Sequence, residues 1–170
     1  MKLGYVTLPG RGETDQRLAE LAVRIQQSGT RLAGTIQTNR ERDCTHHCDM
    51  DLHVIPDGPV VRINQDLGAE ATGCRLDAGA LEAAVVAVAQ RLAGAEVLII
   101  NKFGKHEAEG RGFRHLMADA LARGLPVIVG VNIQNMPAFL EYADGMAQPL
   151  PSEPDQILTW LSQAKVAVAV

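Results

Sequence analysis

Apolar residues arrive along this chain in short continuous runs, and stretches of helical period separate them. Val97, Leu98, Ile99 and Ile100 form one such run, the pattern of a strand buried on both faces. Leu3 to Thr7, Arg31 to Gln37 and Pro126 to Val131 read as further strands. Between them, Leu18, Leu21, Ala22 and Ile25 share one face of a helix that Thr14 or Asp15 caps and Gly29 ends. Asp77 caps a second helix from Ala78 to about Leu92, apolar nearly all round and therefore expected to be well buried. Phe113, Leu116, Met117, Ala120 and Leu121 make the inner face of a third, ended by Gly124. Pro137 opens a short helix through Tyr142, and Pro154 to Gln163 supplies a last one with Ile157, Leu158 and Leu161 inward. His53 to Ile55 and Val60 to Ile63 flank Pro56-Asp57-Gly58-Pro59, which predicts a small hairpin after the second strand. The tail VAVAV reads as an added strand or a packing surface. This alternation predicts one α/β domain over residues 1–170, a three-layer sandwich around a mostly parallel sheet with right-handed crossovers.

Composition narrows the function without choosing it. The 170 residues are 46% hydrophobic and 21% charged, enough for one domain with a sizeable core. The formal net charge of -4 gives no broad basic surface, and no basic stripe is interleaved with aromatics, so nucleic acid is not the expected partner. The first residues lack the apolar core of a signal peptide and no apolar run approaches the ~20 residues of a membrane span, which predicts a cytoplasmic protein without a membrane role. Three cysteines, an odd number in a reducing compartment, argue against a disulfide framework.

The candidate chemistry lies where the central strand ends. Asn101, Lys102, Lys105 and His106 follow Ile100 at the carboxyl end of that strand, the usual ligand side of an open α/β sheet. From Asn101 to His115 four cations (Lys102, Lys105, Arg111, Arg114) face two glutamates in an otherwise acidic chain, a pattern suited to a small anionic ligand or to a solvated loop. In the first loop, Gly10 and Gly12 let backbone amides approach such an anion, with Arg11 adding charge and Thr14 a hydroxyl. His106, beside Glu107, reads as a proton-transfer group, an anion contact or a packed loop histidine; His115 reads as structural. No Ser-His-Asp arrangement can be assembled from the spacing. A second cluster, Cys44, His46, His47 and Cys48 with Cys74 as a remote ligand, offers donors for zinc, copper or another transition metal. Its spacing matches no strong zinc signature, so partner contact, redox sensitivity and a plain polar loop stay open beside it.

Two separated motifs resemble the P-loop fold. Thr7 to Thr14, TLPGRGET, has the length and second glycine of GxxxxGK[ST], with Thr7 for the first glycine and Glu13 for the lysine. LIINKFGKHE resembles the strand ending in Asp-Glu of the small THEP-type P-loop nucleoside-triphosphatases, with Asn101 for the metal-holding aspartate and Lys102 for the following acid. The combination PGRGETD, HHCDMDL, INQDLG, GCRLD and NKFGKHEAEGRGFR is similar to a bacterial domain-of-unknown-function family related to those enzymes. That resemblance implies a P-loop-like fold and an association with molybdate-uptake gene neighbourhoods.

The departures from the motif carry as much as the match. A P-loop lysine reaches the β and γ phosphates and the strand-end acid helps hold magnesium. Here Glu13 stands where a cation is needed, repelling a phosphate by about 4 kcal/mol at roughly 4 Å and an effective dielectric near 20. The expectation is a Glu13–Lys102 ion pair across the site, or Lys102 performing the missing lysine's task with Arg111 and Arg114 closing over the ligand. The leading reading is therefore binding of a nucleotide, phosphate or other oxyanion, including a molybdenum-related one, at a degenerate Walker A site, without ordinary magnesium-dependent hydrolysis. The alternatives are a nucleoside-triphosphatase or kinase with an altered metal arrangement, and a metal-binding or interaction protein acting through Cys44 to Cys48. An apolar tail is also compatible with a homodimer.

Overall fold

The computed structural model describes residues 2–41, 48–65 and 75–166. The element order is β1 (Leu3–Val6), α1 (Glu13–Gln27), β2 (Leu32–Glu41), β3 (Cys48–Ile55), β4 (Val60–Arg62), β5 (Asn64–Gln65), β6 (Arg75–Leu76), α2 (Ala78–Leu92) and β7 (Val97–Phe103). It continues with α3 (Lys105–Ala108), α4 (Arg114–Ala122), β8 (Val127–Val131), a 3-10 turn (Ile133–Asn135), α5 (Met136–Ala143), β9 (Ala147–Pro149) and α6 (Pro154–Val166). No helix among the described residues is long and apolar enough to cross a membrane.

Seven strands form one sheet in the order β4-β3-β2-β7-β8-β1-β9, and β5 and β6 form a separate two-stranded ladder. From β2 through β9 every neighbour is parallel; β3 and β4 join antiparallel. Alternation across the central strand explains the layers, because successive side chains point to opposite faces. Val97 and Ile99 enter a core with Leu18, Leu21 and Ile25 of α1 and Ile157 and Leu161 of α6. Leu98 and Ile100 enter the other core, with Leu81 and Val88 of α2, Met117 of α4 and Phe139 of α5.

Several expectations are corrected. The first helix begins at Glu13 with Gly12, at φ 78°, as its N-cap and no side-chain cap; neither Thr14 nor Asp15 caps it, because both side chains turn inward to other partners. Asp77 does cap α2, its Oδ1 accepting the Ala80 N–H at 3.0 Å. That helix buries only the stripe Leu81, Ala84, Val88 and Leu92, and Val86 stays 58% exposed, since the sheet covers one side of it. The second strand runs four residues past Gln37, to Glu41, because β3 pairs with it over the whole length from Gly34 to Glu41. The hairpin thus extends the main sheet. The tail beyond Val166 lies outside the described residues.

Candidate functional site

The site forms past the end of β1 and at the carboxyl end of β7, beside the part of β2 that continues beyond its last pair with β7, Thr35 with Ile100. After β1 the turn Leu8–Gly12 reverses the chain into the amino end of α1. Gly12 supplies the positive φ that this reversal needs. Across it, the Glu13 side chain folds back, its Oε2 accepting the Gly10 N–H at 3.1 Å, so a carboxylate lies over the glycine turn. Thr14 is buried and its hydroxyl accepts the Leu8 N–H at 3.0 Å, which ties the turn to the helix.

From the sheet side, β7 carries Asn101, fully buried, and Lys102, half-buried, at a register shift against β8 between Asn101 and Phe103. The hub that joins the two sides is Asp15, which is 7% exposed. Its Oδ2 accepts from Asn39 Nδ2 at 2.7 Å and lies 3.8 Å from Lys102 Nζ. With the Asn101 amide oriented to satisfy its neighbours, its nitrogen donates to Asp15 Oδ1 at 2.9 Å and its oxygen accepts the Gln37 N–H at 3.2 Å. Gln37 Nε2 donates to Asn39 Oδ1 at 2.7 Å. The acid facing Lys102 is therefore Asp15, and the expected Glu13–Lys102 pair does not form. Residues two apart on a helix point about 200° away from each other, so only one of the two acids can face the sheet.

These groups surround an open cleft of about 430 Å³, lined by Gly10 to Gly12, Thr14, Asp15, Lys102 and Asn132 to Gln134. A second chamber of about 240 Å³ adjoins it, and Gln37, Met50 and Lys102 line both. Asn101, Lys105 and His106 border the second chamber. His106 is buried, its Nε2 3.2 Å from Glu82 Oε1, and the same oxygen accepts the Gly112 N–H at 2.9 Å. Glu107 is buried as well; its Oε2 accepts the Gly104 N–H at 2.9 Å and its Oε1 the Phe113 N–H at 3.2 Å. Burial pushes the Glu107 carboxyl above its ordinary range, and the Gly104 and Phe113 amides pull it partly back.

Of the residues expected to meet a ligand, Gly10, Arg11, Gly12, Thr14 and Lys102 come together at the cleft. Lys105 is exposed and paired with Glu109 at 3.7 Å. Arg111 points to Glu109 and Arg114 lies over the Tyr142 ring, 4.7 Å from its centroid, so neither closes over the cleft. His115 is exposed on α4. Cys44, His46, His47 and Cys74 lie outside the described residues, and Cys48 begins β3. Among the described residues no cluster of metal-ligating side chains assembles. Sequence reasoning missed Asp15 as the hub, together with Gln37 and Asn39. Asp15 carries the signal of a helix cap, and Gln37 and Asn39 reach the cleft only because β2 continues past the point where its apolar pattern stops.

A mostly parallel seven-stranded sheet between helix layers, with a glycine turn opening α1 at the strand ends, defines a three-layer α/β class of protein. Within it, the chain belongs to the family described as a protein of unknown function, DUF2478, whose profile matches residues 3–160. Over 149 residues it is 34% identical to the molybdenum import ATP-binding protein ModC 2 of Bradyrhizobium diazoefficiens, a stretch that is 87% of this chain and 17% of that relative. The chain thus spans about a sixth of the relative's length. The solution structure of a human cancer-related nucleoside triphosphatase is similar in fold, with a TM-score of 0.57 covering 99% of this chain and 97% of that one, at 16% identity.

Proposed function

We propose that the cleft binds a nucleotide, phosphate or other oxyanion, molybdate among them, without ordinary magnesium-dependent hydrolysis, and that residues 1–170 act as one degenerate P-loop-like domain on a small anionic ligand in the cytoplasm. The observation that carries this reading is the convergence on one cleft of the glycine turn, the amino end of the 15-residue α1 and the Lys102 ammonium. Helix amino ends carry partial positive charge and unpaired N–H groups, which suit an anion. Lys102 supplies from β7 the charge that position 13 lacks, and Arg11 adds a second cation at the rim.

Magnesium, the usual companion of phosphate in this fold class, does not fit the donor set. A hard cation needs carboxylate or hydroxyl oxygens with free lone pairs. The buried carboxylate at the cleft, Asp15, accepts from Asn39 and Asn101 and is neutralised by Lys102, which leaves the Thr14 hydroxyl, with the one lone pair that Leu8 does not use, as the cleft's remaining oxygen donor. Position 101 offers an amide where an acid would be required.

The relative's name brings ATP and molybdate to the front of the ligands to be tested. In a thermal-shift titration with ATP, GTP, phosphate, sulfate and molybdate, each with and without magnesium, at least one ligand raises the melting temperature dose-dependently. A ligand at about 100 times its Kd stabilises by about 2.7 kcal/mol. The rise disappears in Lys102→Ala, and phosphate release from ATP shows no magnesium dependence. A flat response to every ligand overturns the reading and leaves Cys44 to Cys48 as the working surface.

A further inference from the structure

The glycine turn already holds an anion, and it is one of the chain's own. Glu13 Oε2 accepts the Gly10 N–H at 3.1 Å. A Cβ at Gly10 would lie 2.2 Å from the Glu13 carboxylate carbon, so the carboxylate is seated against the turn where only glycine leaves room. Gly10 also lines the cleft. An oxyanion entering there and the Glu13 carboxylate therefore compete for one backbone donor, and their charges repel each other.

The same side chain has a second partner within reach of its helix. Arg17 follows four residues on, one turn along the same face of α1. With Glu13, Leu8, Gln16, Glu20 and Ser152 it lines a hollow of about 310 Å³, and Leu8 lines the cleft as well. A glutamate four residues ahead of a cation is the favourable orientation for an ion pair on a helix. Arg17 Nη1 donates to Glu20 Oε2 at 3.0 Å, which uses part of a guanidinium with five N–H donors. Glu13 and Glu20 flank Arg17 from one turn before and one turn after, so its planar fork can hold both. Glu13 is exposed, as is its bond to Gly10, and exposed hydrogen bonds and ion pairs are individually weak. A ligand that prefers one position of Glu13 therefore decides between the two.

We infer that Glu13 gates the cleft by exchange: its carboxylate holds the Gly10 N–H until an oxyanion takes that donor, and Glu13 then turns to Arg17. This rests on the anion-binding reading of the cleft. It goes beyond that reading by making Glu13 the competitor that sets the affinity and Arg17 the positioning residue that receives it.

Isothermal titration of the full chain with inorganic phosphate, molybdate and ATP, in the native protein and in Glu13→Ala, tests the exchange. Glu13→Ala binds the tightest of the three about tenfold more strongly than the native chain does. Arg17→Ala binds it about twofold more weakly, and Arg17→Lys restores the native affinity. In a chain already carrying Glu13→Ala, Arg17→Ala has no effect. Equal weakening by Arg17→Ala in both backgrounds marks a through-space charge and overturns the exchange. Equal affinity of the native chain and Glu13→Ala also overturns it and leaves the anion site standing. Binding of none of the three by the native chain or by Glu13→Ala overturns the anion site itself. Amide NMR spectra of the native chain give a test independent of any variant. The Gly10 amide shifts as the ligand binds; shifts at Gly12 and Lys102 with Gly10 unmoved overturn the exchange.

Discussion

Glu13 and Asp15 lie two positions apart on α1 and face in different directions, and Lys102 meets the one turned toward the sheet. Both acids were visible in PGRGETD, but the sequence pattern does not say which would meet β7. The answer depends on where the helix begins, and Gly12, as N-cap, sets that phase. With Asp15 9% and Lys102 25% exposed at the side chain, the pair is largely removed from water. Breaking one member of such a pair leaves the other charge without compensation, which costs more than removing both. A double-mutant cycle with Asp15→Asn and Lys102→Met, read by urea denaturation, is expected to give a coupling of about 0.5–3 kcal/mol. The same cycle built on Glu13→Gln and Lys102→Met is expected to give no measurable coupling. A coupling confined to Glu13 would contradict the arrangement described above.

At the scale of elements, the segment from Gly104 to Phe113 is held by side chains. The four-residue α3 is too short to stand alone, and Glu107 accepts N–H groups from both ends of the segment, Gly104 and Phe113. Glu107→Ala leaves two inward amides without their acceptors, at about 1–3 kcal/mol for each buried donor, read as a lowered urea midpoint. The pH dependence has a definite sign. Burial raises the native Glu107 carboxyl above its ordinary 4.5, so the folded state holds the proton more tightly than the unfolded chain does. The stability it contributes is complete below the unfolded value and is lost as pH rises through the raised native value. Urea midpoints taken from about pH 4 to about pH 7 should therefore decline less in Glu107→Gln than in the native chain. This role was not legible in KHEAEGRG, which reads as an anion-binding or a solvated charged loop. Phe113 and Ala108, on either side of Glu107, pack on the larger hydrophobic core, whose other members come from elements remote in sequence such as α2 and α5. The helices α1, α2 and α4 were legible because each carries an apolar stripe and a glycine just past its end, Gly29, Gly94 and Gly124. The short β5, β6 and β9 were not, since strands of two or three residues have no period to read.

For the molecule as a whole, the close approach of β2 to β7 sets the sheet. At Gly34, φ is +142° and a Cβ would lie 1.8 Å from the Ile99 carbonyl oxygen, a backbone atom that cannot move without breaking the ladder. Gly34→Ala is expected to destabilise by about 4 kcal/mol or more, seen as loss of the cooperative thermal transition. Gly94→Ala, where a Cβ meets nothing within 4 Å, should melt like the native chain. The α/β alternation and the parallel core were readable from the sequence because four apolar strand runs separated by helical stretches are hard to place otherwise. The course of the antiparallel extension was less so, because its polar strand residues resemble loop.

That extension bears on how the protein behaves in a crowded solution. Both rims of the seven-stranded sheet are short: β4 runs only from Val60 to Arg62 and β9 only from Ala147 to Pro149. Unpaired backbone at a sheet rim is a template for strands of other molecules, and short length, charge and proline all blunt it. Arg62 places a cation on one rim and Pro149 removes a donor from the other. The long apolar strands that would template aggregation, β7 and β8, are sealed on both flanks.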